Sequence, residues 1–286
     1  MPVPKHIQRP ETYPLLKFIV LSDLHIVPDG KLSHGLCTTD RFRQSIAYVN
    51  DNHADADFVV IAGDLADHGE KAAYERFRET LPDLKPTTYL TLGNHDDRAV
   101  FLDVFPGSAD ETGSVNHVID RHDHRVIVLD SNDPDVGHAG LIDHIQLNWL
   151  AARLDEAKDR PVIIVVHHNI TKLHVQTDFI ILRENEAFAE VVLRHPDIRQ
   201  VISGHVHMTT SGSYRGIPFC TLAGGHYSIE PTLESLSGPI PNLVQRREGP
   251  GQLAVVLADR DSTVVHMENF LDRHLVMPRD LFTWHG

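Results

Sequence analysis

Cysteine is nearly missing from this chain: Cys37 and Cys220 are the only two in 286 residues, far apart and outside any Cys-x-x-Cys spacing. That argues against a disulfide framework or a thiolate zinc site and leaves two buried apolar thiols. Long apolar runs are missing too. No stretch approaches the roughly 18 to 20 consecutive apolar residues of a membrane-crossing helix, so no membrane partner is expected. Residues 1–14 hold three prolines between Pro2 and Pro10 and no apolar run like the core of a secretion signal, which makes a cytoplasmic location the expectation. Basic charge is scarce: 26 Lys and Arg against 40 Asp and Glu give a net charge of −14. No electrostatic footprint for general nucleic-acid binding exists, and Arg246-Arg247 is the only adjacent basic pair.

What is present fits a globular protein. With 41% hydrophobic and 23% charged residues, neither disorder nor a fibrous architecture is expected. The length suits one domain over 1–286, in which 226–286 would serve as cap, access loop and oligomer-contact region. Histidine is abundant, at 21 residues, so the chain either handles metal or protons or carries many surface histidines. Position decides between these.

Short β-branched runs at 18–21, 58–62, 89–92, 126–129, 162–166 and 201–202 read as buried strands. Between them, 41–52, 71–81, 142–157 and 184–194 carry apolar residues every three or four positions and read as helices. This alternation predicts an α/β architecture with helices covering sheet faces. After Gly212 the pattern turns to strands at 213–214, 219–222, 253–258 and 264–267, as in a mixed second sheet. Residues 237–251, rich in Pro and Gly, read as a long surface excursion, either a plain loop or a substrate-access or oligomer contact.

The polar residues that carry chemistry sit directly after the strands. Asp23 and His25 follow the first, Gly63-Asp64 the second and Gly93-Asn94-His95-Asp96 the third; His167-His168 and Gly204-His205-Val206-His207 follow two later ones. Ligand sites in open α/β sheets form at the carboxyl ends of strands, so these five segments are expected to converge on one crevice. Carboxylate, imidazole and amide donors without thiolate suit Mn, Fe, Co or Zn. Asp23, His25, Asp64, Asn94, one of His167 and His168, His205 and His207 make seven donors, enough for two divalent ions sharing a carboxylate. Residues two apart on an extended segment point the same way, which pairs Asp23 with His25 and His205 with His207. The adjacent His167 and His168 should diverge, leaving one as a ligand and the other to orient substrate or a neighbour.

Each piece alone has a bland reading. Asp-x-His is usually surface decoration, and Gly-Asp is common in turns. Asp67 is either a solvated helix cap or an orienting acid; His168 and His226 either line the pocket or are ordinary histidines; Arg98 contacts substrate or decorates a helix, with Asp96 beside it flanking the site. His117, His122, His124, His138, His174, His195 and His266 read as surface histidines. The five segments in this order, each at a strand end, are what the bland reading fails to explain.

Together Asp23-x-His25, Gly63-Asp64, Gly93-Asn94-His95-Asp96, His167 and Gly204-His205-x-His207 resemble the signature of the calcineurin-like metallophosphoesterase superfamily, over about residues 17–210. The run Gly-Asn-His-Asp-Asp-Arg-Ala-Val-Phe at 93–101 and the overall length look similar to bacterial class III cyclic nucleotide phosphodiesterases and related glycerophosphodiesterases. The resemblance implies a four-layer αββα sandwich of two mixed β-sheets flanked by helices. It also implies Asp23, His25, Asp64 and His207 on one metal and Asp64, Asn94, His167 and His205 on the other, with Asp64 bridging. Asn169 stands where relatives often carry proline. A homodimer or higher homo-oligomer is a further implication.

These readings predict a binuclear metal-dependent phosphodiesterase that cleaves a small phosphodiester, a cyclic nucleotide or glycerophosphodiester, by in-line attack of a hydroxide held between two ions. Asp64 and His95 are the candidate catalytic residues, with His95 stabilising the phosphoryl group or protonating the leaving alkoxide. Asn94, His95, His168 and His226 are the candidate substrate contacts. A phosphomonoesterase with the same centre and a non-catalytic scaffold of this fold are the alternatives.

Overall fold

The computed structural model describes residues 15–233 and 244–271. From the start, β1 (Leu16–Leu21), α1 (Thr38–Asn52), β2 (Phe58–Ala62), α2 (Lys71–Thr80), β3 (Thr88–Thr91) and α3 (Arg98–Val104) follow in alternation. Next come β4 (His117–Arg121), β5 (His124–Leu129), α4 (His144–Asp155), β6 (Val162–Val166), α5 (Asn185–Val192), β7 (Ile198–Ser203), β8 (Thr210–Tyr214) and β9 (Ile217–Thr221). A short ribbon, β10 (Ser228–Ile229) with β11 (Arg246–Arg247), precedes β12 (Gln252–Ala258) and β13 (Thr263–Asn269).

Two large sheets result, ordered β13-β12-β1-β2-β3 and β4-β5-β6-β7-β9-β8. Both are mixed: β1, β2 and β3 run parallel while β12 and β13 pair antiparallel, and β5, β6, β7 and β9 run parallel between antiparallel β4 and β8. The late strands therefore do not form a sheet of their own; β12 and β13 extend the first sheet beyond β1, and β9 and β8 extend the second beyond β7.

Side-chain alternation along the strands builds the layers. Phe18, Val20, Phe58 and Val60 point from the first sheet toward Val126, Val128, Ile163 and Val165 of the second and form the core between them. On the opposite face, Ile19, Leu21 and Ile61 meet Phe42 and Ile46 of α1, Tyr74 and Phe77 of α2 and Phe101 of α3. Ile127, Ile164 and Val166 meet Leu150 and Leu154 of α4 and Phe188 of α5. The order is helices, sheet, sheet, helices, the four-layer sandwich anticipated above. Strands buried on both faces read as unbroken apolar runs, which is why they were visible in the sequence. Helix starts are set locally: Asp97 accepts from Val100 N at the head of α3, and Asp143 from Gln146 N at the head of α4.

Among the described residues no helix is long and apolar enough to cross a membrane. Residues 237–243 of the expected surface excursion lie outside the described residues, and 244–251 contain β11 rather than plain loop.

Candidate metal centre

Strands β1, β2, β3, β6 and β7 deliver their following residues to one rim of the sandwich. The turns after β1 and β2 run together, Asp23 N donating to the Gly63 carbonyl (3.1 Å) and His25 N to that of Asp64 (2.9 Å). Gly204 N donates to the His167 carbonyl (3.1 Å), and His205 N to Asp23 Oδ1 (3.1 Å), which ties the second sheet's rim to the first.

Asp23, His25, Asp64, His205 and His207 all have positive φ, between 47° and 69°. The extended geometry expected for Asp23-x-His25 and His205-x-His207 is thus replaced by left-handed turns. A left-handed residue costs an L-amino acid roughly 1 kcal/mol or more, and such positions gather where surrounding structure enforces a site. Asp23 and His25 still close on one group; of the second pair, His207 joins them, whereas His205 turns to His167 and His168. Gly93 is needed for close approach: a Cβ there would overlap Asp64 Oδ1 and stand 2.6 Å from His167 Nε2.

The imidazoles are held by one nitrogen each. His25 Nδ1 bonds Asp67 Oδ1 (3.0 Å), His167 Nδ1 donates to the Ala62 carbonyl (2.8 Å) and His207 Nδ1 to that of Tyr227 (2.9 Å). This arrangement fixes the tautomer, leaves Nε2 of His25 and His207 as a lone pair and turns Nε2 of His167 toward Asp64. His205 is held the other way, Nε2 donating to the Ile180 carbonyl (3.0 Å) and Nδ1 left over. His25 Nε2 and His207 Nε2 then face each other at 3.2 Å, with Asp64 Oδ2 3.5 Å from the former and Asp23 Oδ1 3.4 Å from the latter. Asp64 Oδ1 lies 3.3 Å from His167 Nε2. Opposed lone pairs and neighbouring carboxylates are a poor arrangement without cations between them. Asn94 Oδ1, His167 Nε2 and His168 Nε2 are, moreover, buried without a hydrogen-bond partner. These donors fit divalent metal.

The groups that can close on an ion overlap: Asp23, His25 and His207; Asp23, Asp64 and His167; His25, Asp64 and His95; His167, His168 and His205. Asp64 stands between the first-sheet and second-sheet donors. The expected divergence of His167 and His168 is not found: their rings meet edge to face at 4.9 Å, and both reach the group completed by His205.

Charge states follow from burial and neighbours. Burial lowers the pKa of His25, His205 and His207, the last to about 4, which keeps them in the neutral, metal-binding form. Burial opposes ionisation of Asp64, but His167, His95 and His25 outweigh it and hold the carboxyl well below its usual range. Asp23 is pushed up by burial and by Asp64. Burial works against a charge on His167, but Asp64 and Asp23 raise it to about 9. For His95 too, the burial effect is overcome by Asp64 and the Asp67 carbonyl, and its pKa rises.

Beside these donors opens a cleft of about 240 Å³ lined by Asp64, Asn94, His95, His205 and His207. It is a small-ligand space. Its remaining walls, Phe179, Tyr227, Ile229, Val244 and Arg246 among them, include nothing the sequence reading assigned to the site. His138 was read as a surface histidine; it is exposed, but it lines this cleft and meets Asn94.

Other assignments change. His226 is not among the residues lining the cleft: it is fully buried, packs 5.0 Å from the His25 ring and bonds the Ser33 carbonyl (3.2 Å), next to Gly225, whose N–H donates to the Ser22 carbonyl (2.9 Å). His168 is also fully buried, bonded to Ser131 Oγ (2.7 Å), and lies behind the cleft wall. Asp67 orients His25 rather than capping a helix. Asp96 is a brace, accepting from Leu65 N, Ala66 N, Gly93 N and Tyr74 Oη. Arg98 is bound to Asp130 (2.9 Å), and so is neither free helix surface nor aimed at the metal donors. His124 and His195 are buried, the first held by the His122 and Asp259 carbonyls, the second by the Ala157 carbonyl at Nε2 and the Asp197 N–H at Nδ1, and His117 is half-buried against the Leu90 carbonyl. None of these three is a surface histidine. No periodicity marks such positions, since a carbonyl partner from a distant segment satisfies the ring.

A family model described as calcineurin-like phosphoesterase matches residues 16–209. A probable cyclic nucleotide phosphodiesterase of Rhodopseudomonas palustris is 33% identical over 260 residues, covering 90% of this chain and 93% of its own. A cAMP/cGMP dual specificity phosphodiesterase of Mycobacterium tuberculosis is 30% identical, with 80% of this chain and 74% of that one covered. A glycerophosphodiester phosphodiesterase of Enterobacter lignolyticus is 28% identical over 71% of this chain and 74% of its own. Among solved structures, a dimetal phosphatase from Danio rerio superposes with a TM-score of 0.62 at 16% identity, over 87% of this chain and 98% of that one, a likeness of fold.

Proposed function

Because this chain belongs to the calcineurin-like phosphoesterase family, we propose that it is a phosphodiesterase that hydrolyses a small phosphodiester, a cyclic nucleotide or a glycerophosphodiester, at a centre of two divalent cations. The observation that carries this is Asp64, whose two oxygens face His25 of one donor group and His167 of the other. Asp23, His25, Asp64 and His207 would hold one ion and Asp64, Asn94, His167 and His205 the other. Manganese, iron, cobalt and zinc all suit such oxygen and nitrogen donors. A metal pair of this kind supplies an activated water at neutral pH and offsets charge on the phosphate.

The chain's own residues do the rest. His95, its Nδ1 fixed on the Asp67 carbonyl at 2.6 Å, keeps Nε2 for the substrate. Its raised pKa favours the protonated ring, suited to donating to a phosphoryl oxygen or to the departing alkoxide. Phe179, Ile180, Ile229 and Val244 add apolar wall beside the donors, which gives the second ester group of a diester a place a monoester does not use. The names of the relatives agree with a diester substrate.

The test is steady-state hydrolysis by metal-stripped protein reconstituted with manganese, using cyclic nucleotides, glycerophosphodiesters, bis(p-nitrophenyl) phosphate and p-nitrophenyl phosphate. Metal-dependent diester cleavage is expected to dominate. A strong preference for the monoester would replace the reading with a phosphomonoesterase, and no turnover with two equivalents of metal bound would leave a scaffold.

A further inference from the structure

The cleft has a roof that the metal chemistry does not employ. In the β10–β11 ribbon Ile229 lies opposite Arg246. Alternate residues of its two segments, Tyr227 and Ile229 on one and Val244 and Arg246 on the other, all line the cleft, as the period of two in extended chain requires. A two-stranded ribbon has little stability of its own. This one rests on Val175, Val206 and Met208, against which Tyr227 and Ile229 pack.

Arg247, one residue on, pairs with Glu230, whereas Arg246 forms no ion pair among the described residues. Its guanidinium lies over the Tyr227 ring, 5.1 Å from the centroid, and Tyr227 is stacked on His207 at 4.0 Å and 9°. One arm of the most basic dipeptide in an acidic chain is therefore laid over a ring that touches a candidate metal ligand. Phe179 lines the same cleft with 67% of its surface open to solvent.

We propose that Phe179, Tyr227 and Arg246 form a nucleobase subsite, so that the organic part of the diester is a nucleoside and guanine is preferred to adenine. This rests on the phosphodiesterase reading above. The exposed face of Phe179 can hold a base by stacking, and a glycerol headgroup offers no flat face for it, while Tyr227, buried against the His207 ring, seats the guanidinium. A guanidinium lying along a ring keeps N–H donors at its edge, and that fork matches the two acceptors O6 and N7 of guanine. Adenine presents N7 but replaces the second acceptor with an amino donor, which meets donor with donor. Stacking on Tyr227 holds the fork in place before substrate arrives and so lowers the ordering cost of binding.

The experiment measures kcat/KM for 3′,5′-cyclic GMP, 3′,5′-cyclic AMP, 7-deaza-cyclic GMP, a glycerophosphodiester and bis(p-nitrophenyl) phosphate. It uses manganese-loaded wild type, Arg246→Ala, Arg246→Lys, Phe179→Ala and Arg247→Ala, with metal content checked for each. Wild type is expected to prefer cyclic GMP and to lose about tenfold on the 7-deaza analogue. Arg246→Ala collapses the GMP-to-AMP ratio toward one and becomes indifferent to the 7-deaza change; Arg246→Lys does not restore the ratio, and Arg247→Ala keeps it. Phe179→Ala raises KM for both nucleotides together. A ratio unmoved by Arg246→Ala overturns the subsite, as does cleavage of glycerophosphodiester without cleavage of cyclic nucleotide, with the phosphodiesterase reading intact. Failure on every diester overturns that reading and the subsite with it.

Discussion

Asn94 and His138 meet at 3.0 Å, amide Nδ2 against ring Nδ1, and this contact leaves Asn94 Oδ1 buried with no hydrogen-bond partner. An amide can present either end; here the imidazole takes the nitrogen and leaves the oxygen without a partner, as the proposed ligand role would require. His138→Ala should weaken binding of the second metal equivalent about 10- to 100-fold, the range found when a ligand's orienting partner is removed. Chelator competition with manganese measures it. Unchanged affinity would mean that the loop itself sets the amide.

For His95→Ala the expected split is different. Both metal equivalents remain, since His95 is not needed to complete either ligand set, while kcat falls about 10²- to 10⁴-fold for loss of a proton donor in the transition state. Metal analysis alongside turnover decides it; wild-type kcat with full metal content would remove His95 from the chemistry.

Tyr74→Phe probes the brace beneath the loop. Tyr74 Oη donates to Asp96 (3.0 Å) and accepts from Asp97 N (2.9 Å), all within buried or half-buried surroundings. Removing the hydroxyl should cost about 1 to 3 kcal/mol in chemical unfolding, because the buried Asp96 carboxylate loses one of its four donors and the part-buried Asp97 N–H loses its acceptor. A change below about 0.5 kcal/mol would show that water takes its place.

Gly93→Ala tests the closest approach in the centre. The added Cβ would overlap Asp64 Oδ1 and crowd His167 Nε2, so metal content is expected to fall below two equivalents while secondary structure by circular dichroism persists. Retention of both ions would mean that the loop after β3 yields more easily than its hydrogen bonds to Asp96 suggest.

Stripping metal should lower the unfolding temperature, with recovery on adding manganese and a further rise with its concentration, as for any ligand that binds only the folded state. The lone pairs of His25 and His207, 3.2 Å apart, are part of the reason. Equal melting temperatures with and without ions would count against a built two-ion site.

Legibility in the sequence followed burial. Strands covered on both faces, such as β2 and β6, appear as unbroken apolar runs and locate the polar residues after them; the candidate donors Asp23, His25, Asp64, Asn94, His167, His205 and His207 stand out on that basis. β4, with only Ile119 fully buried, and the seven-residue α3 carry too weak a pattern to stand out. The ribbon segment around Arg246 is two residues long and reads as loop. His138 sits alone between turns, and nothing local separates it from His174. His226, in a Gly-Gly-His run after a strand, resembles a site motif, and the structure places it buried beside the His25 ring and outside the cleft lining.

The donors are divided between the two sheets: Asp23, His25, Asp64 and Asn94 come from the rim of one, His167, His205 and His207 from the rim of the other. The centre is therefore also the seam of the molecule. Sliding one sheet over the other by the width of a hydrogen atom would change the Asp64–His167 separation and leave the Asp64–His25 separation alone, and misplacements of about 1 Å can cost a hundredfold in rate. Phe18 and Phe58 of the first sheet, packed against Val126, Val128, Ile163 and Val165 of the second, thus help set the alignment on which the candidate centre depends without touching it.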